Sequence, residues 1–305
     1  MGNWTATGVR WRDGVARLTA SDGRREHERA VEPGLRVAWR LSGPRGCGGV
    51  WAGGRHRRCP YGAVVAPDSK TVQCEACQSA DRGLALARDQ ILDDGRTYRL
   101  YLAWFGDGLL KVGLTAEERG TVRLQEQAAL VYTFVGRGRL PAVRRAELTV
   151  ARAGLARERV PSAAKSGAWW ALPAAEHRAA RLAALRAEVL ALLAEHDVEL
   201  LRDGPLVDQV ALFGLAQGAP EAYREVTALA PDAVLGGTLR AAVGGHLFLD
   251  QAPAGSTEQE ETPLLLDTRL LTGWGLTAVP AQPCAGVVVK PRLRPREEAE
   301  QESLF

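Results

Sequence analysis

The chain has 305 residues, 46% hydrophobic and 25% charged; this is room for about two domains and excludes disordered, collagen-like and coiled-coil classes. Lys+Arg 39 against Asp+Glu 36 leaves +3 with Lys70, Lys111, Lys165 and Lys290 the only lysines, a balance that does not demand nucleic acid: arginine grips phosphate, but it is also ordinary surface charge in GC-rich coding. No run reaches the roughly 18 apolar residues of a membrane span and Met1 to Asp13 has no apolar signal core, so a cytoplasmic chain with no membrane partner is expected.

The first 45 residues set Trp4, Trp11 and Trp39 among arginines, with turns at Asp13-Gly14 and Asp22-Gly23. They predict short strands, and the tryptophans are either core or base-stacking groups. Four of the five cysteines, Cys47, Cys59, Cys74 and Cys77, then fall in a glycine-rich stretch. Reduced thiolates clustered in this way suit tetrahedral zinc, in a structural role because four thiolates leave no position for water. The wide spacing of the first pair makes only half a standard knuckle, with His56 as a substitute ligand. Scattered buried cysteines, or a redox pair at Cys74 and Cys77, are the other readings. Cys284 stands apart as core filler.

Thr97–Trp104 and Leu109–Leu114 flank Gly106-Asp107-Gly108, a hairpin pattern. Pairing Phe105 with Leu109 sets Tyr101 opposite Gly113 and Ala103 opposite Lys111, all on one face, with Gly113 an open floor beneath the tyrosine. Thr115-Ala116-Glu117-Glu118 reads as a capping box opening a helix with Arg119, Arg123 and Gln127. A second helix opens at Pro141 and runs toward Gly154. Its spacing puts Glu147 on a face with Val143 and Val150, where a carboxylate calls for a metal ion, an arginine, or a pair with Arg144. Glu176–Asp197 is a packing helix with Leu182, Leu185, Val189 and Leu192 on one stripe. Strands are expected at Gly237–Val243, His246–Asp250, Pro263–Leu271 and Gly286–Lys290, and a charged, disordered tail from Arg292.

The central residues resemble the GIY-YIG nuclease superfamily over about residues 97–172. Arg99-Leu100-Tyr101 stands in its first name motif and Lys111-Val112-Gly113 in its second. Arg123 and Glu147 match its helix arginine and metal-binding glutamate, and Lys165-Ser166-Gly167-Ala168-Trp169-Trp170 is similar to a closing segment of several members. The first motif keeps only its tyrosine, and Lys111 replaces a second tyrosine, as in some members. The chain is also similar to a bacterial subgroup with a cysteine cluster ahead of this core. The resemblance implies that Tyr101 helps deprotonate the attacking water, Glu147 holds Mg²⁺ or Mn²⁺ on the scissile phosphate, and Arg123 steadies the developing charge. Lys111 supplies charge or, desolvated, a base. The last five residues resemble the bacterial sliding-clamp-binding motif, Gln301 hydrogen-bonding at one subsite and Leu304 with Phe305 filling an apolar cleft.

The expected fold is α+β: a small mixed sheet with flanking helices, a zinc module, and small β modules at both ends. The boundaries are 1–92 for the β-rich zinc-bearing region, 93–232 for the GIY-YIG-like core with its packing helices, 233–291 for the C-terminal β module and 292–305 for the tail. The expected function is a metal-dependent DNA endonuclease or repair-type phosphodiesterase recruited to the sliding clamp. One rival is a catalytically silent, zinc-containing nucleic-acid-binding adaptor in which Tyr101, Lys111 and Arg123 are ordinary sheet and surface residues. Another is an enzyme acting on a small molecule with the same sheet.

Overall fold

The computed structural model describes residues 4–52, 55–88, 90–91, 93–251 and 262–295. It is a mixed α/β molecule with several antiparallel sheets and few helices. Gln301, Leu304 and Phe305 lie outside the described residues. No helix among those described is long and apolar enough to cross a membrane.

The N-terminal strands are β1 (Trp4–Arg12), β2 (Val15–Ser21), β3 (Glu26–Ala30) and β4 (Arg36–Ser42). Asp13 and Gly14 both take positive φ, +51° and +76°, the two-residue turn that matches strand twist. Trp11 and Trp39 are buried and Trp11 donates its Nε1–H to the Gly244 carbonyl at 2.8 Å, so these rings serve the core. The cysteine region holds a short hairpin, β5 (Val50–Ala52) with β6 (Arg55–Arg57), and two one-turn helices, α1 (Glu75–Ala80) and α2 (Arg82–Ala87).

The centre contains β7 (Thr97–Trp104), β8 (Leu110–Ala116), α3 (Val122–Glu126), β9 (Val131–Arg139), α4 (Leu140–Arg152), α5 (Ser162–Ala168) and α6 (Ala175–Leu192), followed by β10 (Glu199–Leu200) and β11 (Val207–Asp208). The register is the expected one: Tyr101 opposite Gly113 and Ala103 opposite Lys111, with the Phe105 N–H donating to the Leu109 carbonyl at 3.1 Å. Five strands form this sheet in the order β10-β9-β7-β8, with β11 also on β9. Period-two alternation divides β7 between two cores. Tyr98, Leu100, Leu102 and Trp104 share one with Val143, Ala146 and Val150 of α4 and Leu182, Leu185 and Val189 of α6. Tyr101, Ala103 and Phe105 share the other with Leu124, Tyr132 and Phe134.

Two expectations about local structure are corrected. Thr115 does not cap a helix: it pairs with Arg99 inside β8, which continues to Ala116. A single 3₁₀ turn, Glu117–Arg119, follows and Gly120 ends it at φ +51°, so Arg123 rides on the short separate α3. Ladder pairing here overrides a four-residue capping signal. The helix expected to reach Asp197 ends at Leu192, and of its stripe only Leu182, Leu185 and Val189 are covered; Leu192 is 38% exposed.

The C-terminal strands are β12 (Ala222–Val243), β13 (His246–Asp250), β14 (Leu264–Asp267), β15 (Gly275–Ala278) and β16 (Ala285–Leu293), with a 3₁₀ turn at Thr268–Leu270. They do not form a module of their own. β12 pairs with β4, and β15 lies between β4 and β1, so both ends of the chain make one nine-stranded sheet, β13-β14-β12-β4-β15-β1-β2-β3 with β16 on β12. β12 is three times the length expected for it. Pro231 and Asp232, the latter at φ +60°, interrupt it where its partner changes from β16 to β4.

Arg45 ties the cysteine region to this sheet. It is 1% exposed and its guanidinium donates to the carbonyls of Thr272 at 3.0 Å, Ala66 at 2.6 Å, Ser69 at 2.7 Å and Arg269 at 2.6 Å. Methionine there fills similar volume but strands those carbonyls. Arg45→Met is expected to cost about 3–5 kcal/mol, read from urea unfolding.

Candidate functional site

Two constellations carry chemistry. In the first, the Sγ atoms of Cys47, Cys59, Cys74 and Cys77 all lie within 4.8 Å of one another. Cys47 comes from the loop after β4, Cys59 from the turn after β6, Cys74 from the N-terminal cap of α1 and Cys77 from within α1. A tetrahedron with ligands about 2.3 Å from its centre has edges of about 3.8 Å; Cys59 and Cys74 are 3.7 Å apart. The backbone N–H groups of Cys74 and Gly49 donate to the Cys47 sulfur at 3.2 and 3.5 Å. Burial is the largest single influence on Cys59 and raises it, but the amides of Ala63 and Tyr61 and the sulfurs of Cys74 and Cys77 together outweigh it and bring the thiol to about 7. Burial pushes Cys47 and Cys77 up, and the neighbouring sulfurs push Cys77 further. Four adjacent thiols cannot all ionise without a cation among them, so the donor set fits a soft divalent ion. His56 is no ligand: its Nε2 is 2.6 Å from the Gly48 carbonyl, outside the quartet.

The second constellation is the Tyr101 face of the five-stranded sheet. Tyr101 is 2% exposed and its ring lies across Gly113, where a Cβ would overlap Oη and Cζ. Gln127 Nε2 donates to the phenol oxygen at 2.9 Å. Burial pushes the Tyr101 phenol up to about 12; Arg123 and Gln127 oppose that shift and Glu147 adds to it. Lys111 is 9% exposed, with its ammonium 5.8 Å from the Tyr101 ring centroid and donating to the carbonyls of Glu158 and Val112. Residue 157 closes the outer edge of β8: its N–H donates to Leu110 O and its carbonyl accepts from Val112 N, both at 3.0 Å. Burial brings Lys111 down to about 8, with Glu147 resisting and Arg123 assisting. Arg123 on α3 and half-buried Glu147 on α4 therefore both act on the tyrosine and the lysine. Arg144 donates to the carbonyls of Ile91 and Leu86. Arg99 of the first motif is occupied differently, by Glu117 at 2.9 Å.

Gly113→Ala tests this packing. The added methyl group must displace the phenol, and we expect a loss of about 1–3 kcal/mol, measured by thermal unfolding.

Two groups near the face, and Arg45 away from it, were not singled out as functional from the sequence. Gln127 orients the phenol, and its i+4 relation to Arg123 was its only signal. Lys165 donates to the Gln127 carbonyl at 2.9 Å; the sequence marks it only as the first residue of the closing-segment resemblance. Arg45 sits among Gly and Pro residues that give no hint of burial.

The family model described as "Protein of unknown function (DUF2797)" matches residues 50–276, well over half of the chain, and the chain belongs to that family. The matched span includes Tyr101, Lys111, Arg123, Glu147 and three of the four cysteines. No curated protein and no solved structure matches the chain.

Proposed function

We propose that this member of a family of unknown function is a zinc-stapled, metal-dependent nuclease acting on DNA. The observation that carries the reading is electrostatic convergence: Tyr101 and Lys111 share one sheet face, and each feels both Arg123 and Glu147. Those are the residue types that in-line phosphodiester cleavage requires, namely a proton acceptor, cations where charge builds, and a carboxylate for a divalent ion. The GIY-YIG resemblance of the same positions supports the assignment. A bound Mg²⁺ or Mn²⁺ would supply Lewis acidity at the phosphate. Glu147 would hold such an ion as a single carboxylate, with substrate phosphate and water filling its remaining positions. The quartet holds structural zinc in this reading, and Gln301, Leu304 and Phe305 recruit the chain to the sliding clamp.

One observation favours a second reading, a silent nucleic-acid-binding adaptor: Tyr101 is closed off and protonated near neutral pH. Branched, single-stranded and duplex DNA incubated with Mg²⁺ or Mn²⁺ separates the two. The nuclease cuts at least one of them, and Tyr101→Phe and Glu147→Ala both slow cutting by about 10²-fold or more. DNA that is bound yet uncut under every condition assigns the adaptor role.

A further inference from the structure

A cavity of about 440 Å³ opens where the central unit meets the nine-stranded sheet. Its walls include Arg123 and Gln127 from α3 and its C-terminal end, Lys165 and Trp169 from α5 and its end, His246 at the start of β13, and Arg269 in the 3₁₀ turn. Of the four residues of the proposed cleavage centre only Arg123 reaches this wall. The volume is that of a pocket for a small organic ligand.

The charges on the wall do not balance. Asp267 is taken by Arg269 at 2.6 Å and Glu126 by Arg119 at 2.6 Å. Among the described residues no acid pairs with Arg123 or Lys165; the lysine ammonium donates to the Gln127 carbonyl and lies 3.9 Å from the Phe105 ring centroid. Trp169, 1% exposed, has a buried Nε1–H with no acceptor. A half-open wall with two partly buried cations and no acid paired to them attracts an anion. Paired cations with a fork and a point charge suit a phosphate better than a carboxylate, since a phosphomonoester carries close to two charges at pH 7.

We propose that this cavity is a phosphomonoester pocket, holding the terminal phosphate of a DNA strand between Arg123 and Lys165. The same chemistry would accept a free nucleotide. The inference shares Arg123 with the proposed cleavage centre, but it requires binding alone and no divalent metal, so it stands or falls separately from cleavage.

Burial, with Lys111, Arg123 and Arg269 adding to it, brings Lys165 down to about 7. His246, held toward its neutral form chiefly by burial, Asp267 and Glu126 also face the cavity. An arriving phosphate raises the lysine pKa, so binding takes up a proton. Affinity is then greatest between about pH 6, below which the phosphomonoester takes up its own second proton, and about pH 7, and falls by about tenfold per pH unit above that until the pKa of the bound state is passed.

The test is equilibrium binding without added Mg²⁺ or Mn²⁺, using 5′-phosphorylated and 5′-hydroxyl forms of one oligonucleotide, with a mononucleotide and inorganic phosphate as competitors. We expect the phosphorylated strand to bind at least tenfold tighter. Lys165→Gln and Arg123→Gln should remove that preference and Lys165→Arg should keep it, each variant retaining wild-type zinc content and thermal midpoint. A mononucleotide competing as strongly as the strand assigns the pocket to free nucleotides; weaker competition assigns it to strand ends. Equal binding of the two strands by the wild-type protein overturns the proposal, as does a phosphate preference that survives in Lys165→Gln.

Discussion

Cys77→Ser is expected to abolish zinc binding and to unfold the loops that join β4 to α2. Cys77 is the most deeply buried of the quartet, and its thiol is pushed up by burial and by the sulfurs around it. A cation relieves that mutual repulsion at all four positions at once. Structural zinc contributes on the order of 10 kcal/mol to small modules, and the hairpin of three-residue strands between Cys47 and Cys59 cannot replace that through its own apolar contacts. The damage should spread through Arg45, whose bonds to Arg269 and Thr272 depend on the loop beside Cys47. Elemental analysis should find one zinc per wild-type chain and none in the variant, and limited proteolysis should cut the variant between β4 and α2. Wild-type protein without zinc contradicts the assignment.

The second large effect concerns cleavage. Removing a charge-stabilising or metal-holding group from such a centre costs several kcal/mol in the transition state, and each 1.36 kcal/mol is tenfold in rate. Glu147→Gln keeps the shape of the side chain and removes its charge, so a loss of about 10³-fold is expected. Tyr101→Phe should lose about 10²-fold or more, the range of a proton-transfer group. The phenol at about 12 also predicts a pH profile. Its reactive, deprotonated form grows tenfold per unit as pH rises from 6 to 9, so the wild-type rate should climb over that range and Tyr101→Phe should flatten the climb.

How much of this was legible in the sequence depends on how local the governing interaction is. The β7–β8 register follows from a three-residue loop and strict alternation, so Tyr101 over Gly113 could be read from the residues themselves. The start of α4 within one residue of Pro141 and the cysteine quartet were legible for the same reason, since helix entry and thiolate clustering are properties of short stretches. The nine-stranded sheet was not. Its central pairing joins Val37 to Gly237, and nothing in either strand specifies a partner 200 residues away. The capping signal at Thr115 failed because Arg99, sixteen residues earlier, offers that residue a ladder position. Lys165 and Arg45 were missed because a cation becomes buried only when separate elements supply carbonyls around it, here Gln127 for one and Thr272, Ala66, Ser69 and Arg269 for the other.

The proposed cleavage centre is tested most directly by single-turnover cleavage of labelled DNA across a Mn²⁺ titration, comparing wild-type protein with Glu147→Gln. The wild-type rate should saturate with metal, and the variant should remain at least about 10³-fold slower at every concentration. A variant that reaches the wild-type rate at saturating Mn²⁺, or a wild-type rate indifferent to the metal, contradicts a divalent ion held by Glu147 beside Tyr101.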